Sequence, residues 1–496
     1  MMQQMVLPLL TSHVPLHFVA ERLGAHPGRF PFHPGSSWPD QLAWGLDSIT
    51  AAVRLMLSVQ PIGASVIART QIERWSTNIE FNIGTPQQPG EDTVARLNRL
   101  WSTPGIRVPK QARPVGDLFA DLSELLHARG PLMPLVWLDI ADVTSAPASD
   151  HAELLTVISD CLGASLGHVS SGLATAALTR GWARVAEFVG RVRLVAPTRG
   201  WTPDLSVFLF PMGPRQFQNP NFVHELGAAA SGFRRAVSMI ESGDTSGDPA
   251  GLWPLFSLGH HRFRALVVAS HAYEQEKRTL GEQFGRSQME MLAVKAVLAG
   301  EMAAMLAVWL REDPTRRQAA DAFAVCASGL RSAEWLWLED DPRAMGCLRC
   351  VIEQVARART WRLKPARAAK IDSNPNSTPR DWMEGAGWRR LNLLSRALGE
   401  FVHGSTTVSW ELPRRALVAL QRDADVDETA QSTGRTNALR ASIFIVAAEC
   451  ARWVDGFGGS LGEAYRNVVG ISDEEADRAI EELMRRAWEK RGLPLR

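Results

Sequence analysis

The chain has 496 residues, 45% of them hydrophobic, and a formal net charge of +1. That length exceeds one hydrophobic core, so about two to four domains are expected. Near-neutrality excludes a global pull toward nucleic acid or an anionic membrane, so such a partner would have to be held by a local patch.

Residues 1–39 read as an irregular N-terminal segment. They lack the basic start and long apolar run of a signal peptide. Apolar residues then recur every three to four positions in "LDSITAAVRLMLSV" (46–59) and "GASVIARTQIERWSTNIEF" (63–81), which predicts amphipathic helices of a first bundle over 40–190. Residues 191–255 are rich in Pro and Gly and read as a connector, with the best strand signal of the chain, "LSVFLFPMG", at 205–213. Additional helices follow over 256–314. In the apolar run 289–310, Glu290, Lys295 and Glu301 favour a buried amphipathic helix over a membrane span. Helical periodicity at 316–338, 345–363, 388–404 and 435–454 predicts a second bundle over 315–465. Ser472 and Glu475 then resemble a capping box opening a charged C-terminal helix over 466–496. The expected fold class is all-α: two related helical bundles joined by an irregular, Pro- and Gly-rich connector.

The relation between the bundles rests on a repeated pattern. Arg69–Glu73 in "ARTQIERWS" and Arg349–Glu353 in "LRCVIEQVA" both read Arg-x-x-Ile-Glu. Each is followed by Leu-small-Glu-apolar-apolar-His, "LSELLH" ending at His127 and "LGEFVH" ending at His403, with Glu-to-His separations of 54 and 50 residues. Order and spacing together point to an internal duplication. Arg before Glu is the weaker orientation for a surface pair, so its recurrence suggests that Arg69, Glu73, His127, Arg349 and Glu353 are inward-facing polar groups of the architecture.

With these motifs the chain resembles the HEPN-like helical-bundle proteins of bacteria. The stretch "SRALGEFVHGS" is similar to the helix end of that group, and Arg396 and His403 have six residues between them, at the limit of the spacing in its ribonuclease branch. The resemblance implies an all-α bundle, a pseudo-dimer of two bundles within one chain, and a toxin or phage-defence setting. Two departures stand out. Ala397 follows the motif Arg where a polar residue is usual, and Ala120 occupies the position seven before His127, so the first copy has no Arg-to-His motif.

Metal-independent RNA cleavage needs a proton-transfer group, a cation for the developing phosphate charge and a basic surface. His403 suits the first role because it titrates near neutrality, Arg396 suits the second through its bidentate guanidinium, and Glu400 would orient either. Residues 357–396 carry ten basic and three acidic side chains. The expected nucleic-acid face comprises Arg359, Arg362, Lys364, Arg367, Lys370, Arg389 and Arg390, with Trp361 as a stacking platform. If the chain is an enzyme, it would be an endoribonuclease. The alternative is a non-enzymatic scaffold whose bundles bind a protein partner, an antitoxin or a second copy of the chain.

Other chemistry has little support. Cys347 and Cys350 lie on one helix without a second pair and read as buried small hydrophobes. Five scattered cysteines argue against a disulfide framework and fit a reducing cytoplasm. His260, His261, His271 and Glu274 cluster, but the di-iron bundle pattern runs Glu-x-x-His and needs carboxylates from other helices. No phosphate-binding Gly loop or nucleophile elbow is present. No metal, cofactor or membrane contact is expected.

Overall fold

The helical runs expected at 46–59, 63–81, 289–310, 316–338, 345–363 and 435–454 are helical over nearly their whole length in the structure, a computed structural model. It describes residues 2–25, 37–84, 88, 90–103, 113–140, 148–191, 204–209, 220–244, 247–248, 250–280, 288–339, 341–374, 377–388, 391, 395, 398–399, 434–458, 460–470, 472, 474 and 478. The class is all-α: 83% helix in 17 helices, with no strand among the described residues. The helices are α1 (Met2–Arg22), α2 (Trp38–Leu57), α3 (Pro61–Ile83), α4 (Thr93–Trp101), α5 (Val115–Leu126), α6 (Met133–Ile140), α7 (Ala148–Thr179), α8 (Ala183–Arg191), α9 (Pro220–Glu241), α10 (Trp253–Leu280), α11 (Gln288–Arg311), α12 (Arg317–Leu338), α13 (Ala344–Leu363), α14 (Pro365–Asp372), α15 (Pro379–Gly385), α16 (Gly434–Asp455) and α17 (Leu461–Val469).

The chain forms two compact units that interleave in sequence. Unit 1 takes residues 1–59, 67–123 and 148–267, and unit 2 takes 60–66, 124–147 and 268–496. In unit 1, α1 packs against α2, α7 and α9. Its helix starts are chemically marked. Ser37 and Asp40 form a capping box at α2, with the Ser37 amide donating to Asp40 at 2.8 Å, and Asp92 accepts from the Ala95 amide at 2.7 Å at α4. Gly45 lets α2 approach α3 closely, because a Cβ there would lie 2.6 Å from the Trp75 ring.

In unit 2, α12 packs between α11 and α13, and α16 closes against α11 and α13. Small residues make this layer tight: a Cβ on Gly329 of α12 would stand 3.0 Å from Val351 of α13. The buried indole of Trp337 donates to Thr436 Oγ1 at 3.2 Å and ties α12 to α16. All five cysteines are buried and unbridged, Cys347 and Cys350 among them. Ala152–Thr179 and Leu292–Arg311 are apolar and long enough to cross a membrane, with 56% and 50% of their most apolar windows buried in the fold. One side of each therefore serves as core.

Two segments differ from expectation. Residues 2–22, read as irregular, form α1 although Pro8 and Pro15 lie inside it. Each proline removes one backbone donor, at a cost that pattern reading treats as decisive. Nearly every residue from Val6 to Ala20 is buried, and that burial outweighs the loss. In the connector, Pro220–Glu241 forms α9, with proline tolerated at its first position. The strand expected over 205–213 is instead a single 3-10 turn at Ser206–Phe208, and residues 210–213 lie outside the described residues.

Candidate functional site

α13 carries most of the polar side chains singled out in unit 2. Arg349 Nε donates to Glu353 Oε1 at 2.8 Å, and the Ser395 hydroxyl donates to the same oxygen at 3.2 Å. Burial raises the Glu353 pKa, but Arg349, His127 and the Ser395 hydrogen bond outweigh it and hold the carboxyl below its ordinary value. His127, from the first sequence copy, thus faces the Glu353 of the second. Its backbone carbonyl accepts from Arg357 Nη1 at 2.5 Å, and the Ala128 carbonyl accepts from the same nitrogen at 3.0 Å. In unit 1, Arg69 pairs with Glu73 at 3.4 Å and donates through Nε to Ser123 Oγ at 2.9 Å. Both Arg-x-x-Ile-Glu pairs form and both engage a serine, Arg69 in one and Glu353 in the other.

Four basic residues of the segment, Arg357, Arg359, Arg362 and Lys364, are committed to the fold. Glu449 of α16 is fully buried and accepts from Arg359 at 3.2 Å and from Arg362 at 2.6 and 3.1 Å, while Arg452 lies 3.8 Å away. Arg359 also lies over the Trp388 ring at 5.1 Å, and buried Arg357 lies over Trp382 at 5.6 Å while bridging to Asp372 at 2.9 Å. Lys364 donates to the Gly385 carbonyl at 3.1 Å. Trp361 is half-buried with its indole N–H covered. Arg367 and Lys370, one turn apart on α14, remain exposed with no acidic partner among the described residues. Arg389, Arg390, Arg396, Glu400 and His403 lie outside the described residues. Leu391, Ser395 and Leu398, which flank the motif Arg, are helical and buried.

A second constellation, in unit 1, was not legible as one site in the sequence. His13, His17 and Glu21 stand four residues apart along α1, Asp47 comes from α2, and His260, His261 and Arg264 come from α10. Arg264 donates to both Asp47 carboxylate oxygens, at 2.9 and 2.7 Å, and contacts His17 Nε2 at 2.5 Å. Arginine only donates, so His17 Nε2 must accept, which leaves the proton on Nδ1. That nitrogen is 3.2 Å from Glu21 Oε1. The rings stack: His13 on His17 at 5.1 Å, and His260 flat on Phe233 at 3.8 Å.

Electrostatics keeps His13, His260 and His261 neutral. Burial, then His17, pushes the His13 pKa well down, and the same two causes push His260 to about 2. Burial likewise lowers His261, against the opposing pull of Asp47. For Asp47 burial acts upward, but Arg264 and His261 prevail and hold it ionised. Both ring nitrogens of His13 and both of His260 are buried without a hydrogen-bond partner. Each buried polar group left unpaired costs about 1–3 kcal/mol, so this cluster is unfinished as a purely structural network. The sequence signal that could have found it is the His-x-x-x-His-x-x-x-Glu spacing on α1. Of the neighbouring pair considered from sequence, His271 and Glu274 lie farther along α10, beyond unit 1.

No family model, curated protein or solved structure matches this chain.

Proposed function

We propose that this chain is a helical interaction protein that receives a partner helix on the outer face of α11. The observation that carries this reading is a stripe of large apolar side chains in solvent: Val294, which is 54% exposed, with Val297, Met305, Val308 and Trp309. Their three- and four-residue spacing puts them on one side of α11, while other faces pack on α12 and α16. Single exposed apolar residues are ordinary, but a continuous stripe on one helix is the usual footprint of helix recognition. Glu301, itself exposed, sits at the middle of the stripe with Arg331 of α12 at 3.4 Å. Antiparallel pairing of two α11 helices would oppose the two Glu301 carboxylates. A different protein, with an apolar helix and no acidic residue at its centre, fits this face better.

The test is a tagged full chain purified from its own cells beside Val297→Glu/Met305→Glu. The expected result is one stoichiometric partner, reduced to background by the double substitution while thermal unfolding is unchanged. A partner retained by the double variant would overturn the reading. A wild-type dimer by light scattering that the variant dissolves would reassign the face to a second copy.

A second reading keeps RNA as the ligand of unit 2 and is favoured by exposed Arg367 and Lys370. In it, Arg396, Glu400 and His403 perform metal-independent cleavage in a toxin or defence setting. His403→Ala and Arg396→Ala should each abolish RNA cleavage while leaving the melting temperature in place. Arg367→Ala/Lys370→Ala should weaken RNA binding and flatten its salt dependence by about one unit of slope per lost phosphate contact. Absence of RNA binding at low salt would remove this reading.

A further inference from the structure

We propose that His17, Glu21 and His260 form a binding site for a divalent transition-metal ion in unit 1. The ligand-bearing atoms of these three residues lie within 4.8 Å of one another. Four ligands around a zinc-sized ion at bonds near 2.0–2.1 Å stand about 3.4 Å apart, so small side-chain rotations complete the site. His17 Nδ1 and Glu21 Oε1 are already at 3.2 Å. Two imidazoles and one carboxylate are the donor chemistry of borderline cations such as Zn2+, and not of Ca2+ or Mg2+, which take oxygen ligands.

Three features single out this set. His260 presents two buried ring nitrogens with no partner, and its ring is fixed by stacking on Phe233, so its orientation is paid for before any ligand arrives. Glu21 is the carboxylate of the cluster that no arginine claims among the described residues, and its side chain is 39% exposed. That side would admit the ion and leave a coordination position for water. Asp47, by contrast, is closed by both nitrogens of the Arg264 guanidinium. A second group, His13, His17 and Asp47, also converges within 4.8 Å, but a cation there would have to displace Arg264.

Binding at His17 Nδ1 balances without loss of a proton from the ring. The Nδ1 proton is exchanged for one on Nε2, which then donates to Asp47 as Arg264 turns its Nη1 wholly onto that carboxylate. Asp47 becomes the outer carboxylate that orients a metal-bound histidine. One orphaned nitrogen of His260, the tautomer and the buried acid thus acquire one explanation.

The test uses the full chain stripped with chelator and titrated calorimetrically with Zn2+, with Co2+ as an optical probe. One ion per chain is expected, with the intense visible absorption of four-coordinate Co2+. Glu21→Gln, at a half-exposed position that should fold normally, should weaken Zn2+ binding by about tenfold or more. His260→Ala should abolish it, and His224→Ala, at an exposed position elsewhere in unit 1, should leave it intact. Glu21→Gln binding as tightly as wild type would overturn the proposal, as would the absence of a one-to-one site. Loss of binding in His13→Ala with Glu21→Gln unaffected would move the ion to the Asp47 side and overturn this ligand set.

Discussion

Units 1 and 2 both bury ionisable side chains, and one cluster in each handles them differently. In unit 2 the buried acid Glu449 is surrounded by Arg359, Arg362 and Arg452, and both terminal nitrogens of Arg357 are engaged, Nη1 by two carbonyls and Nη2 by Asp372. In unit 1 the cluster of α1, α2 and α10 buries imidazoles, and the ring nitrogens of His13 and His260 end without hydrogen-bond partners, while Arg54, Arg74 and Arg262 are buried in the same unit. A guanidinium has five donors on a long stem and can satisfy itself across a helix interface, whereas a short neutral imidazole needs a partner placed at each nitrogen. A satisfied network reads as architecture. An unsatisfied one is where a ligand belongs. The density of positive charge between 357 and 396 is therefore a weaker functional signal than it looks in sequence, because Arg357, Arg359, Arg362 and Lys364 are held by the fold.

The contrast can be broken experimentally. The largest effect is expected at Glu449. Glu449→Gln leaves Arg359, Arg362 and Arg452 facing an uncharged amide, and urea unfolding should show a loss of about 3 kcal/mol. A loss below about 1 kcal/mol would mean that the arginines simply re-solvate and that the network is ordinary surface pairing.

The next effect concerns the exception within unit 2. Glu334 is buried with no cationic partner among the described residues, and burial, then neighbouring Glu339, raises its pKa from 4.5 to about 8. An acid that holds its proton more tightly when folded contributes stability that is complete below pH 4.5 and is lost as pH rises through about 8. Glu334→Gln should remove that fall and exceed wild type by about 2 kcal/mol at high pH. Identical pH profiles for the two proteins would show that the site is wetter than its burial indicates.

A smaller effect is expected in unit 1. With metal chelated, His260→Phe replaces two orphaned nitrogens with a ring that still stacks on Phe233, so stability should hold or rise by about 1 kcal/mol. A loss as large as that of Glu449→Gln would show that the imidazole is satisfied and erase the contrast. The smallest effect belongs to α11, where Val297→Glu should change stability by less than about 0.5 kcal/mol, since the side chain is already in water.

The sequence by itself determined what depends on neighbours along the chain. Helical class followed from three- and four-residue periodicity, and Arg69–Glu73 and Arg349–Glu353 follow directly from four-residue spacing on a helix. Tertiary structure decided what depends on distant partners. Arg359 and Arg362 meet Glu449 nearly ninety residues away, so their commitment inward could not be read from a local charge count. The histidine cluster joins α1, α2 and α10, and Arg264 reaches Asp47 and His17 across more than two hundred residues. It also depends on α1, whose prolines hid it because local propensity records the lost hydrogen bonds and not the burial that offsets them. Periodicity fixes which face of a helix is apolar, but only packing brings three such helices together and shows which of their polar atoms are left unpaired.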